Sequence, residues 1–286
     1  MKSWTKTAIT STVVALSLAT TACSNTSHQQ PEPLSNKDKV TALLKSIETG
    51  DAEPVSYINP NKYIQHNLGV ADGLAGFGAA LQALPEGSAR VDTVRVFQDG
   101  DFVFAHTDYN FFGPKIGFDI FRFEQGLIVE HWDNLQQTPD GANPSGRTMI
   151  DGPVQAEDLD STEANKVLVK GFVDDVLVSG KMDTITQYIE PNYYLQHNPG
   201  IADGLDGLGS ALAAMAEQGI TMEYQQVHRV LGEGNFVLTV SEGTLGGQHT
   251  SFYDLFRVEN GKIVEHWDTI EAIPPQSEWK NGNGKF

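Results

Sequence analysis

At 286 residues, with 40% hydrophobic and 20% charged positions, the chain has the composition of globular protein and is long enough for one or two domains. Lys and Arg number 19 against 37 Asp and Glu, a formal net charge of −18. A surface so acidic repels phosphate backbones and anionic lipid headgroups, which argues against nucleic-acid binding and against a polybasic membrane contact.

The first residues have a basic start (Lys2, Lys6), an apolar stretch centred on Val13-Val14-Ala15-Leu16-Ser17-Leu18 and small residues before Cys23. The pattern predicts a signal peptide over 1–22, too short and too lightly apolar for a stable membrane span. Thr20-Thr21-Ala22-Cys23 resembles a bacterial lipobox, which implies that Cys23 becomes the lipidated first residue; Thr20 stands where Leu is usual, and the alternative is a plain secretory signal with a coincidental cysteine. Cys23 is the only cysteine, so no internal disulfide forms. The expected location is the cell envelope, with the membrane touched only through the N-terminal lipid. Ser24 suits outer-membrane sorting toward the periplasm if the host is Gram-negative. Residues 23–34 are polar, Pro-bearing and aperiodic, and read as a tether.

Ser35, with Asp38 three residues later, opens a helix over 36–49 that carries Val40, Leu43, Leu44 and Ile47 at helical spacing and stops at Gly50. Beyond it the sequence repeats itself. Tyr57-Ile58-Asn59-Pro60 through Gln65-His66-Asn67 recurs 131 residues later as Tyr188-Ile189-Glu190-Pro191 through Gln196-His197-Asn198, and Ala71-Asp72-Gly73-Leu74 recurs at the same spacing. Asp119-Ile120-Phe121-Arg122 and Ile128-Val129-Glu130-His131-Trp132-Asp133 recur 135 residues on, as Asp254-Leu255-Phe256-Arg257 and Ile263-Val264-Glu265-His266-Trp267-Asp268. A period this long is a duplicated domain rather than a solenoid.

Each copy has the same predicted order. A long helix (36–49; 162–179, capped by Thr162) is followed by a short segment through Gln-His-Asn and a second helix (73–84; 204–217). Four strand-like runs close the unit, at 91–98, 102–110, 116–125 and 127–136, then at 221–231, 235–243, 249–259 and 262–271, with Gly-bearing turns between most of them. Helices first and an antiparallel meander afterwards predict an α+β fold, two tandem cones with helices packed on one face of a curved sheet. The domains run over 35–137 and 162–273, joined by a Gly- and Pro-rich linker at 138–161 and followed by a tail at 274–286.

Gln-His-Asn, Asp-Gly-Leu, Asp-x-Phe-Arg and Ile-Val-Glu-His-Trp-Asp, in that order, resemble the SnoaL-like proteins of the NTF2-like superfamily, which include polyketide cyclases working by aldol chemistry. The resemblance implies acid–base proton transfer on a small carbonyl compound, with neither metal nor other cofactor, or a non-catalytic module that holds a small hydrophobic ligand. It also implies an Asp as acid–base residue and a His on the preceding strand, which places Asp119 and His106 as the catalytic pair, the alternatives being a salt-bridged carboxylate and a structural histidine. Copy two keeps Asp254 but has Val240 where His106 stands, so its competence by that route is doubtful. His66, Asn67, His197 and Asn198 are placed as pocket-lining with Asp254, Trp132 and Trp267, the alternative for the two His-Asn pairs being structural hydrogen bonding to backbone. In each Glu-His-Trp-Asp strand one alternating pair faces the pocket and the other faces away, and the sequence leaves open which. No helical His-x3-His and no Cys pair is present, so no metal is expected. Superfamily members often pair sheet to sheet, and the two copies are expected to form that pair within one chain.

Overall fold

The computed structural model describes Met1 and residues 33–85, 87–191 and 193–286; the rest of the expected signal peptide, Cys23 and all but the last two residues of the tether lie outside the described residues. Ser35 and Asp38 form the reciprocal capping box that starts helix α1 (Asn36–Thr49), and Gly50 at φ 71° ends it. Its Val40, Leu43 and Leu44 are buried. Strand β1 (Ile64–Gln65) and helix α2 (Gly73–Gln82) follow, and then strands β2 (Arg90–Asp99), β3 (Phe102–Asn110), β4 (Pro114–Glu124) and β5 (Leu127–Gln137).

The second half repeats this order with α3 (Thr162–Phe172), α4 (Ile185–Tyr188), β6 (Leu195–Gln196), α5 (Gly204–Glu217), β7 (Met222–Glu233), β8 (Phe236–Leu245), β9 (Gln248–Glu259) and β10 (Lys262–Ala272). Two details differ from the sequence expectation. The helix predicted over 162–179 is α-helical only to Phe172 and continues as a π-helical turn over Val173–Val178. Thr162 is its first residue, not its cap, and its hydroxyl instead bonds Leu159 O and accepts from Gly234 N.

The two sheets have the same strand order, β1-β5-β4-β3-β2 and β6-β10-β9-β8-β7. The four long strands of each are antiparallel; the two-residue strand through Gln-His-Asn adds in parallel, Gln65 opposite His131 and Gln196 opposite His266. Bulges at Arg122/Phe123 and Ile263/Glu265 bend the sheets. Alternation then sorts the side chains. On β4, Phe121 and Phe123 face α1 and its core, whereas Phe118 and Ile120 face the second sheet.

The two outer faces pack on each other. Phe97, Phe104 and Ile120 meet Phe236, Leu238 and Leu255 in one core, with Phe97 stacked on Phe236 at 4.6 Å. Exchanged contacts frame it: Arg229 lies over Trp132 at 3.9 Å and Arg95 over Trp267 at 4.6 Å, while Lys37 pairs with Glu233 and Lys166 with Asp99. The sheet-to-sheet pairing expected of the two copies is thus made within one chain.

The segments after each sheet cross to the opposite half. Asn143 donates to the carbonyls of Gln196 and Ile201, and Thr148 O accepts from His197 Nδ1 at 2.7 Å. Asn281 donates to Asn67 O and Val70 O, and Gly284 O accepts from His66 Nδ1 at 2.8 Å. The linker and the tail therefore act as two straps, each fastening the other half's Gln-His-Asn loop. Phe236, fully buried between the sheets, is the natural probe of this interface. Phe236→Ala should cost about 3–5 kcal/mol of unfolding free energy, read as a lower midpoint in urea denaturation of the full chain.

Candidate active site

Between each sheet's inner face and its helices lies a cavity with an apolar wall and a small polar cluster. In the first half, β4 and β5 place Asp119 directly opposite Asp133, and His131 opposite Phe121, so all three polar side chains point inward. His131 Nε2 lies 3.1 Å from Asp119 Oδ1, and Tyr109 O–H donates to Asp119 Oδ2 at 2.7 Å. The other imidazole nitrogen, Nδ1, faces Gln65 Oε1 at 2.9 Å. That oxygen also accepts the Asn67 backbone N–H, which fixes it as an acceptor and makes Nδ1 the donor. The Asp119–His131 contact therefore holds one shared proton. Asn67 Nδ2 donates to Asp133 Oδ2 at 2.5 Å, while Asp133 Oδ1 is buried without a hydrogen-bond partner.

The second cavity repeats the set. His266 Nε2 lies 3.0 Å from Asp254 Oδ1 and His266 Nδ1 2.9 Å from Gln196 Oε1, and Asn198 donates to Asp268 at 2.6 Å. The phenol comes from a different strand. Tyr109 on β3 is paired with Val91, whereas in the second half Tyr224 on β7 is paired with Gly243, and Tyr224 O–H donates to Asp254 at 3.1 Å. A Cβ on Gly243 would sit 1.9 Å from Glu223 O, so that position admits no side chain. Each half thus supplies one tyrosine to its aspartate from either strand of an edge pair.

Burial raises the pKa of Asp119 against the lowering effect of its hydrogen bond from His131. Burial opposes the charged form of His266, but the hydrogen bond to Asp254 and the charge of Asp268 outweigh it, and His266 is raised. Burial also raises Asp268. In both halves the environment retains a proton that separate groups in water would release earlier. Burial, then the neighbouring aspartate, pushes Tyr109 and Tyr224 well up, so both phenols stay O–H donors.

The pair expected from sequence, Asp119 with His106, does not form. His106 lies opposite Phe118 on the sheet, and cross-strand partners share a face. Its ring therefore stacks on Phe118 at 4.2 Å against the second half, with Nδ1 3.1 Å from Arg95. Burial and then the Arg95 charge hold it well below the ordinary histidine pKa. Trp132 and Trp267 are likewise in the intersheet core rather than a pocket, because His131/Asp133 and His266/Asp268 are the inward pairs. His66 and His197 stack on these tryptophans at 4.6 Å and bridge Glu130 or Glu265 to a strap carbonyl, so they act as fasteners and line neither of the two cone cavities. Asn67, Asn198, Asp119 and Asp254 do line the cavities. The sequence left His131 and His266 in one of two alternating pairs without choosing between them, and gave Tyr109 and Tyr224 no site role. A signal was present: both Gln-His-Asn and Glu-His-Trp-Asp occur in each copy, whereas His106 occurs in one.

Asp119, His131 and Asp133, and Asp254, His266 and Asp268, each offer three ligand atoms within 4.8 Å of one another, the only such groups among the described residues. Direct Nε2···Oδ1 contact, with Tyr and Asn already donating to one oxygen of each carboxylate, is the arrangement of a proton-sharing pair.

Residues 169–266 match the SnoaL-like domain family. No curated protein matches the chain significantly. Among solved structures it is similar to IdmH of Streptomyces antibioticus, a candidate polyketide cyclase (23% identity over 37% of this chain and 91% of that one, TM-score 0.30). It is similar also to an LEH-like epoxide hydrolase of M. tuberculosis (21%, 39% and 85%, TM-score 0.30) and to a candidate ketosteroid isomerase of Kribbella flavida (18%, 40% and 84%, TM-score 0.32). Residues 169–266 thus match a SnoaL-like domain, and the fold of the described residues is α+β, with two five-stranded sheets of the same strand order, each with helices on one face.

The raised pKa of Asp119 has a consequence for stability. A carboxyl whose folded pKa is raised contributes stability that is full below the unfolded pKa and lost as pH rises through the folded value. Asp119→Asn removes that dependence and preserves the shape. Its melting temperature relative to wild type should therefore climb as pH goes from about 4 upward to about 8, measured by thermal denaturation of both proteins across that range.

Proposed function

We propose that the protein is an exported, lipid-anchored component of the cell envelope whose two cones are cofactor-independent acid–base sites, of lyase or isomerase type, acting on small carbonyl compounds. The reading of export and anchoring rests on the basic and apolar start of the chain and on Cys23. The observation that carries the acid–base reading is the buried Asp–His pair sharing one proton in an apolar cavity, built twice.

With a ketone in the cavity, the Asp119 carboxylate takes the α-proton while His131, oriented by Gln65, balances its charge. The enolate oxygen needs a neutral donor of high pKa, and Tyr63 supplies one: it is buried in the cavity wall and held well above the ordinary phenol value, chiefly by burial. Its counterpart Tyr194 accepts from Gln196 Nε2 at 3.5 Å, which leaves the phenolic proton free to donate. Returning the proton from Asp119 to another carbon gives isomerisation; delivering it to a leaving oxygen gives elimination. The apolar wall excludes water from the charged intermediate.

A second reading is a non-catalytic module that uses those apolar walls to hold a small hydrophobic ligand. The absence of an imidazole at Val240 does not favour it, since the inward imidazole of the second half is His266. Deuterium incorporation at the sp3 α′-carbon (C6) of 2-cyclohexenone in D2O separates the two. The wild-type chain should accelerate exchange, and an Asp119→Asn/Asp254→Asn double variant should lose about 10²- to 10⁴-fold of that rate. Equal rates in the two proteins would leave only the binding module.

A further inference from the structure

The polar clusters of the two cavities match, yet the space above them does not. The first cavity has a volume of about 140 Å³ and the second about 340 Å³. The repeat register shows what differs at the walls. Phe77 on α2 and Phe111 beyond β3 correspond to Leu208 on α5 and Leu245 on β8. Phe77 stands edge-on to Tyr63 at 6.3 Å, and Phe111 lies 4.9 Å from Tyr109, so two aromatic pairs fill the mouth of the first cone. In the second cone both phenylalanines are absent. Its tyrosine enters from β7, stacked on Phe252 at 4.3 Å, and Gly243 stands at the position of Tyr109. Helix α5 is longer than α2, 14 residues against 10, but its wall residues Ala211, Leu212 and Met215 repeat Ala80, Leu81 and Leu84 of the first cone, which leaves the two phenylalanines as the difference.

We propose that the two cones are size-selective sites for one chemistry: the first takes a single-ring carbonyl compound, and the second takes a carbonyl compound with two fused rings. The proposal rests on the acid–base reading for what binds, and on wall geometry alone for which cavity binds it. Phe77 and Phe111 are the specificity-determining residues of the first cone. Their rings occupy the volume that a second ring would need, while Leu208 and Leu245 leave it open.

Isothermal titration of the full chain with 2-cyclohexenone and with 1-tetralone tests this. The wild type is expected to bind two equivalents of the single-ring ketone and one of the fused-ring ketone. Leu208→Phe/Leu245→Phe should weaken tetralone binding at least tenfold and leave cyclohexenone stoichiometry at two. Phe77→Leu/Phe111→Leu, which only removes bulk, should bring tetralone stoichiometry toward two. Two equivalents of tetralone on the wild type, or tetralone binding indifferent to both pairs of substitutions, overturns size selection and leaves the acid–base reading intact. No binding of either ketone overturns both. Because the two pairs change wall volume in opposite directions, misfolding of the overfilled variant still leaves the enlarged one to decide.

Discussion

Everything about this protein depends on the packing of one sheet's outer face against the other's. A twisted antiparallel sheet presents two faces, and strand alternation commits each side chain to one of them. Here the outer faces are covered by each other, with Phe97, Ile120, Trp132 and their counterparts buried between them. What remains for chemistry is the inner face under the helices. Asp119, His131 and Asp133 stand there because β4 and β5 pair Asp119 with Asp133 and Phe121 with His131. A shift of one residue in that register would exchange the imidazole for the indole and bury the acid–base set in the intersheet core.

Burial sets the character of the cluster. A carboxylate removed from water is costly unless it is hydrogen-bonded, and Asp119 receives a phenol on one oxygen and an imidazole on the other. That solution keeps a proton in the site, and a retained proton is what acid–base chemistry in a dry cavity requires. The same constraint is met twice with different parts. Tyr109 and Tyr224 come from non-equivalent strands, β3 and β7, yet both deliver an O–H to the equivalent aspartate. Geometry at the carboxylate has been kept while the strand that supplies it has changed.

The straps tie the halves into one cooperative object. Each Gln-His-Asn loop carries a cavity glutamine and asparagine, and each is held by backbone carbonyls and asparagines that arrive from beyond the other sheet. The straps are not identical. Gly284 is followed by Lys285, whose ammonium pairs with Glu271 at 2.5 Å and lies 3.8 Å from Asp133, while Thr148 is followed by Met149. The first cluster thus has an ammonium beside it, and among the described residues no lysine or arginine pairs with Asp254 or Asp268, a difference in charge that accompanies the difference in volume.

Local chemistry determined much of this from the sequence alone. The capping box at Ser35, the helical stripe of Val40, Leu43 and Leu44, the Gly-bearing turns and the recurrence of whole motifs specify two α+β units and nearly all their strands, because caps, periodicity and turns act over a few residues. Strand alternation also puts Asp119 on the face of Phe121 and Phe123, which is the cavity side. What the sequence left undecided was which face of each sheet is the inside of a cone. His106 and His131 both sit on half-apolar strands, and only the docking of the second sheet makes one a structural residue beside Arg95 and the other the partner of Asp119. Register between strands and the choice of buried face are set by contacts between residues far apart in the chain, and those exist only once the tertiary structure has formed.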